Sequence, residues 1–306
     1  MIQGQPDGEG TASKMRKFEE SLLRVASRET SSNPEGWTKE NPLYGHCAVV
    51  SVIAQNLFGG NLLRTSLKGT EFEEMGSHYI NEIDGKRIDF TRSQFGGSYE
   101  SLQPKLNFEP RTREYVLFDA EGKPRPIMDR YRTLAFKVMR IFYGENKLFE
   151  DQIYRTIFDQ AMTSKCQKMW FGSIITHGTE VVYAGYNKAT EPLEGMCTPK
   201  CIRLDIQSRT ESMLGACGHA EELGLWEVAR KGIDLRETEL YVAGFYTNGM
   251  PYMKTEPVHT CLRCSVQMYN AQVRAIYVPV IDHWESISTK QALDTAVLYA
   301  TKQKSV

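Results

Sequence analysis

The sequence predicts an α/β protein of two domains, an α+β N-terminal part and a three-layer α/β/α C-terminal part. Three observations carry this prediction. The chain has 306 residues, about twice the ordinary size of one domain. Its first half groups helical segments apart from alternating, strand-like ones, as α+β units do. Its second half alternates short β-branched runs with runs at helical spacing, and strands alternating with helices build layered α/β architecture.

Residues 1–13 are Gly-, Ser- and Pro-rich and are expected to be disordered. A helix is expected from near Ser13, a residue type suited to the N-cap, because Met15, Phe18, Leu22, Leu23, Val25 and Ala26 recur at helical spacing. After the turn-rich SSNPEGWTKENPLYG, the run CAVVSVIAQNLFGG reads as a buried helix stopped at Gly59. SHYINEI and KRIDFTRSQF alternate on either side of Asp84-Gly85 and predict a hairpin. A further strand pair is expected around EGKPRP. Residues 128–143 read as helix, with the domain boundary just before them, which gives an N-terminal domain of 14–127 and a C-terminal domain of 128–306. There, a helix near 147–163 leads to MWFGSIITHG and TEVVYAGYN, two strands joined by a Gly-containing turn. A cysteine-containing loop follows, then helix HAEELGLWEVARKG, strand ELYVAGFY, helix CLRCSVQMYNAQ, strand VRAIYVPVI and a last helix, TKQALDTAVLYATK.

Hydrophobic residues make up 41% and charged ones 25%, ordinary for a globular protein with two cores. The formal charge of −1 lacks the basic surplus of a protein that grips long nucleic acid, which favours a small substrate and leaves room for a local basic groove. Seven cysteines, an odd number, do not read as a secreted disulfide framework. MIQGQPDGEGTASK is too polar for a signal peptide, and no apolar run approaches a membrane span. The expectation is a soluble, cytoplasmic protein with free thiols and no membrane partner.

The strongest chemical signal is His219-Ala220-Glu221 followed by Cys261-Leu262-Arg263-Cys264, each opening a helix. Residues three apart share a helical face, so both sulfurs of C-x-x-C can reach one ion, and the helix N-terminus favours thiolates. His219 supplies a third ligand, and three protein ligands leave the fourth tetrahedral position of a catalytic zinc open for water. Glu221 points elsewhere on the first turn and is placed to move protons. The alternative is a structural zinc, with His259 as fourth ligand.

This H-x-E…C-x-x-C order resembles the zinc-dependent cytidine/deoxycytidylate deaminase superfamily. The likeness extends along the C-terminal half: a helix before FGSII, a strand ending in Gly185-Tyr186-Asn187 like the family's G-x-N, then HAE and CLRC. It implies a cytidine-deaminase-like fold with a mixed central sheet, one catalytic Zn2+ on His219, Cys261 and Cys264, Glu221 as proton shuttle to a metal-activated water, Asn187 in contact with substrate, and a homo-oligomer. The insert bearing Cys197, Cys201 and Cys217 is more like deoxycytidylate deaminases. Those thiols, with Cys166, could hold a second, structural zinc; the alternative is free thiols. Three departures stand out: Thr260 where the family has proline, a second acid at Glu222, and a long loop TNGMPYMKTEPVHT.

In the N-terminal half, Cys47 begins the apolar helix, His78 lies on the first arm of the hairpin and Asp89 on the second. A cysteine at a helix start is activated as a nucleophile, and a carboxylate on a neighbouring strand can orient an imidazole. Papain-like and transglutaminase-like cysteine enzymes use this chain order, and NPLYGHC…GG…HYINEIDGKRIDFTRSQF resembles the YunG-like domains. The alternatives are a core cysteine and a satisfied histidine, and His46 competes as the base.

The function expected is hydrolytic deamination of a cytosine-type base in a free nucleotide or nucleoside, part of nucleotide metabolism. The rivals are deamination of a base in single-stranded DNA or RNA, and a cysteine hydrolase or acyltransferase using Cys47 beside a merely binding C-terminal half. Trp170, Trp226, Tyr246, Tyr252, Lys254 and Arg263 would serve a nucleic-acid substrate; otherwise Trp170 and Trp226 belong to the core and the rest to solvated loop.

Overall fold

In the computed structural model, which describes residues 10–144, 146–197, 200–204, 206, 215, 217–253 and 260–302, contacts divide the chain into two units, Met1–Gly144 and Glu145–Val306. In the first, helix α1 (Thr11–Val25) buries Phe18, Ser21 and Leu22. It starts before Ser13, because the amides of Ser13 and Lys14 bond the carbonyl of Gly10. The expectation of disorder over 1–13 thus fails at 11–13, and residues 1–9 lie outside the described residues. Helix α2 (Cys47–Phe58) buries Val49, Val50, Val52, Ile53 and Ala54 and ends at Gly59, whose φ of 75° suits glycine.

Strands β1 (Asn61–Ser66), β2 (Ser77–Ile83) and β3 (Lys86–Ile88) follow, then the short helix α3 (Tyr99–Leu102), β4 (Glu109–Arg111), α4 (Arg113–Leu117) and α5 (Ile127–Tyr143). The sheet order is β3-β2-β1-β4, antiparallel throughout. Asp84 and Gly85 turn the β2–β3 hairpin with φ of 51° and 73°, the double left-handed pair that a type I′ turn requires. The second arm is shorter than expected. Asp89 Oδ1 accepts from the amide and hydroxyl of Thr91, which curls the chain out of the ladder into a 3-10 stretch over Arg92–Ser98. The strand pair expected around EGKPRP reduces to one bridge between Phe118 and Pro124; β1 is paired instead by β4.

Helix α5 buries Met128, Tyr131, Leu134, Phe136, Val138 and Met139, and it packs on α1 and α2. The boundary therefore falls after Gly144 rather than before residue 128: this apolar face completes the first unit's core.

The second unit runs α6 (Gln152–Ala161), β5 (Met169–His177), β6 (Glu180–Tyr186), β7 (Lys188–Ala189), β8 (Cys217–Gly218), α7 (Ala220–Arg230), β9 (Thr238–Tyr246), β10 (Pro251–Tyr252), α8 (Leu262–Asn270), β11 (Ala275–Val280), β12 (His283–Ile287) and α9 (Thr289–Lys302). Asp151 caps α6 through the amides of Ile153 and Tyr154. The sheet order is β12-β11-β9-β5-β6 with β10 on β9; β5 runs antiparallel to β6 and β9, while β9 and β11 are parallel, so the sheet is mixed as expected.

Alternation along β5 sets the layers. Gly172 faces Ile157 of α6, whereas Ile175 faces Gly224 of α7, and residues of opposite parity point to opposite faces. Leu225, Val228, Leu240, Val242, Cys264, Met268 and Ala292 join α7, α8 and α9 into one core on the α7 side. Phe158 and Tyr154 stack edge-on against Phe245 on the other. A Cβ on Gly172 would lie 2.4 Å from the carbonyl oxygen of Ile157, a backbone atom that cannot swing away. Gly172→Ala should therefore destabilise the second unit by about 2 kcal/mol. Calorimetry checks this, and an unchanged second-unit transition would refute the close packing. Among the described residues no helix is long and apolar enough to cross a membrane.

Candidate metal centre and active site

His219 is the N-cap residue of α7 and Cys261 that of α8. Both motifs therefore stand where unpaired amides and the positive helix end converge. His219 Nδ1 lies 3.2 Å from Cys261 Sγ and 3.3 Å from Cys264 Sγ. All three ligand atoms lie within 4.8 Å of one another, which no other His/Cys/Asp/Glu trio achieves among the described residues. Tetrahedral zinc with bonds of about 2.3 Å to sulfur and 2.0 Å to nitrogen would set such atoms roughly 3.5 Å apart, so the donor set fits a small, thiophilic ion. Hydrogen bonding from Cys264, then from His219, outweighs burial and holds the Cys261 thiol down at about 4; the same sharing and burial push Cys264 up. A cation bound by both sulfurs requires them deprotonated, so binding there would release protons.

Glu221 follows at the first turn of α7, 6% exposed. Burial first, then the Cys261 thiolate, raise its carboxyl above the ordinary range, which suits a group that must both take and give a proton. Ser173 Oγ on β5 donates to the carbonyl of Ala220 at 2.8 Å and pins the helix start to the sheet.

The second acid, Glu222, is a positioning residue. It reaches back to the His219 amide at 3.4 Å as the N3 member of a capping box. It also accepts from Arg263 Nε at 3.1 Å and from Gln267 Nε2 at 2.7 Å, with a second Arg263 contact to Oε2. One carboxylate, 3% exposed, thereby docks the His helix onto the Cys helix. The signal for it was Glu at the third position after His219. Glu222→Ala should weaken zinc binding by about 10- to 100-fold, readable by chelator competition, with secondary structure retained.

Asn187 closes β6 but is heavily committed: Oδ1 accepts from the Phe171 amide at 2.8 Å and Nδ2 donates to the Met169 carbonyl at 3.1 Å. Each atom keeps one further position for a substrate. Trp170 is 3% exposed, as a core residue. Trp226, expected in the core, is 57% exposed on α7, whose opposite face meets the sheet. Tyr246 and Tyr252 stack edge-on at 5.6 Å where β9 meets β10. Arg263 is consumed by Glu222, while Lys254 and His259 lie outside the described residues. A shallow pocket lined by Ala229, Asp234, Arg236, Asn270 and Gln272 sits at the far ends of α7 and α8, a helix length (roughly 16 Å) from the ligands, and is not this site.

Cys197 and Cys217 stand 4.0 Å apart, and Cys201 and Cys166 are near enough to perturb both. Burial first, then these neighbours, push Cys217 up to about 12. None of the seven cysteines forms a disulfide.

In the first unit His78 Nε2 bonds Asp89 Oδ2 at 2.7 Å, with both side chains buried. Burial would lower the His78 pKa, but the hydrogen-bonded Asp89, and then the nearby Cys47 thiol, raise it to about 9. The three predicted residues are therefore brought together. His46 is excluded as the base. Its Nδ1 faces the Tyr44 carbonyl at 3.0 Å and must carry a proton, leaving Nε2 to accept from Thr30 Oγ1 at 2.8 Å. Burial above all, with Arg130 nearby, lowers His46 to about 4. Its unfolded form protonates near 6.5, so the unfolded state binds more protons as pH falls from about 6.5 to 4, and stability drops in that window. The first unit should lose up to roughly 3 kcal/mol there, and His46→Gln should flatten the loss in acid titrations of the unfolding transition.

Residues 149–280 match the family model described as cytidine and deoxycytidylate deaminase zinc-binding region, and residues 14–141 match the model of the YunG protein family. Among curated proteins, the Uncharacterized protein YunG of Bacillus subtilis (strain 168) is 35% identical over 98 residues, covering 32% of this chain and 73% of the relative. No solved structure gives a significant match.

Proposed function

The chain belongs to the YunG family through its N-terminal half and matches the deaminase zinc-binding family through its C-terminal half, and from that premise we propose that it hydrolytically deaminates a cytosine-type base in a free nucleotide or nucleoside. The observation that carries the reading is the convergence of His219, Cys261 and Cys264 at two helix starts with the buried Glu221 beside them. Zinc, when bound, supplies Lewis-acid activation of a water molecule. The chain does the rest. An oxygen of the Glu221 carboxylate takes a proton from the attacking water and returns it to the ring nitrogen, then takes the hydroxyl proton of the tetrahedral adduct and delivers it to the departing amine as the carbonyl forms. Water's oxygen replaces the amino group and ammonia leaves. Asn187, through its remaining amide hydrogen, orients the substrate.

Two observations support a free nucleotide over a nucleic-acid strand. The formal charge is −1, and Arg263, the basic side chain beside the ligands, is locked onto Glu222 rather than offered to phosphates. A second, structural zinc on Cys197, Cys201 and Cys217, with Cys166, has less behind it: Cys197 and Cys217 stand 4.0 Å apart, but among the described residues no three of these thiols come within 4.8 Å of one another. The experiment is ammonia release by purified protein across dCMP, CMP, dCTP, cytidine, deoxycytidine, guanine, adenosine and single-stranded DNA and RNA, with zinc counted by elemental analysis. Turnover of a cytosine mononucleotide or nucleoside, with about one zinc per chain, is expected. Turnover confined to the DNA or RNA strands, or to guanine or adenosine, would overturn the substrate assignment.

A further inference from the structure

We propose that the N-terminal unit is a second catalytic centre, an acyl-transfer site in which Cys47 is the nucleophile, His78 the base and Asp89 the residue that orients the base, acting on an amide or ester carbonyl. The deaminase chemistry uses none of these residues, and the arrangement is more specific than a core cysteine needs. Asp89 gives its Oδ2 to His78 Nε2 at 2.7 Å, while its Oδ1 is fixed by the amide and hydroxyl of Thr91 at 2.8 and 3.0 Å. A carboxylate so held bonds Nε2, which leaves Nδ1, 3.3 Å from Gln94 Nε2, as the nitrogen that exchanges a proton with the thiol.

Accessibility separates the three residues as a mechanism requires. Cys47 is 8% exposed, whereas the side chains of His78 and Asp89 are 0% and 3% exposed. Cys47 is the most exposed of the three, and the pair behind it is dry. Phe95 closes one side of the imidazole edge-on at 4.8 Å. One source of positive charge awaits an oxyanion beside the sulfur. Cys47 is the first residue of α2, so the amides of that turn lack intrahelical acceptors. Gln94 Nε2 stands 3.3 Å from His78 Nδ1 and donates to Thr91 Oγ1 at 3.0 Å, so this amide holds the ring in place and is not offered to the oxyanion. Its buried Oε1 has no hydrogen-bond partner.

The step balances with water as the co-reactant. The proton shared by Cys47 and His78 rests on Nδ1 as the sulfur bonds the carbonyl carbon and the carbonyl π pair moves to oxygen. The tetrahedral adduct collapses, the carbon–nitrogen or carbon–oxygen bond breaks, and the leaving group takes the proton from Nδ1. Water then gives a proton to Nδ1, its oxygen attacks the thioester carbon, and the carbon–sulfur bond breaks. The sulfur regains the proton and a carboxylic acid leaves.

The full chain is treated with p-nitrophenyl acetate at pH 7, and the acetyl group is mapped by peptide mass spectrometry alongside the time course of p-nitrophenolate. Acetyl is expected on Cys47 faster than on the other cysteines, including the more exposed Cys166 and Cys197. His78→Gln should slow Cys47 acylation by about 100-fold and Asp89→Asn by about 10-fold. Cys47→Ser should abolish the fast phase, and Glu221→Gln should leave it unchanged, which separates this site from the deaminase. Acetyl spread over the cysteines according to exposure, or Cys47 acylation at the same rate in His78→Gln, would overturn the proposal. If His78→Gln does not fold, the wild-type selectivity among cysteines decides alone.

Discussion

Replacing Glu221 with glutamine is expected to lower ammonia release by about 1000-fold while zinc content stays at the wild-type level. The substitution keeps shape and volume but removes the group that can take a proton. Glu221 is 6% exposed and makes its closest electrostatic contacts with Cys261 and His219, so it acts where the ligands are. It is no member of the ligand trio, so the metal should remain. Burying a charge is costly, and the neutral amide should leave the unfolding midpoint unchanged or higher. The decisive pairing is turnover against zinc count in one preparation. Zinc lost together with activity would assign Glu221 to metal retention rather than proton transfer.

The second large effect lies at Cys264. This residue is wholly buried, ligates from inside the first turn of α8, and is at the same time part of the core with Leu225, Val228 and Met268. Cys264→Ser loses a thiolate ligand and leaves a hydroxyl among apolar side chains. Zinc should fall by one ion per chain, deamination should vanish, and the second unit should lose about 3 kcal/mol, or roughly 8 °C in midpoint. The first unit, with its own core around Phe18, Phe58 and Phe90, should melt as before. Full zinc retained by this variant would remove Cys264 from the centre.

Which parts of this centre a sequence can disclose follows from distance along the chain. The His-x-Glu and Cys-x-x-Cys sets are local: helical spacing brings both sulfurs to one face and turns Glu221 away from His219 on the first turn. The tie from Glu222 to Arg263 spans 41 positions and exists only because α7 and α8 pack side by side, so nothing local announces it beyond the capping pattern at His219. Likewise the hairpin at Asp84-Gly85 was legible because its residue types suit its torsions, whereas β12 went unseen. Its turn uses Ile281 at φ 49°, a β-branched residue in a region that such residues avoid. Burial was harder still. Trp226 reads as a core residue by type, yet the face of α7 that carries it looks to solvent. The domain boundary failed for a related reason: α5 is amphipathic whichever unit it serves, and only its contacts with α1 and α2 assign it. In the N-terminal unit the order Cys, His, Asp was visible, but the choice of His78 over His46 required the carbonyl of Tyr44 and the hydroxyl of Thr30.

The metal trio joins His219 to Cys261 across 42 positions. An ion held there is a cross-link in a protein whose seven cysteines form no covalent bridge. A covalent tie around a loop of that length would restrict the unfolded chain by about 4 kcal/mol at room temperature, and a coordinate bond acts in the same sense for as long as it persists. Such a staple is indifferent to thiol reductants and yields to chelators. With an ion held there, the integrity of the second unit would depend on metal supply, and starvation for zinc would expose its chain to proteases.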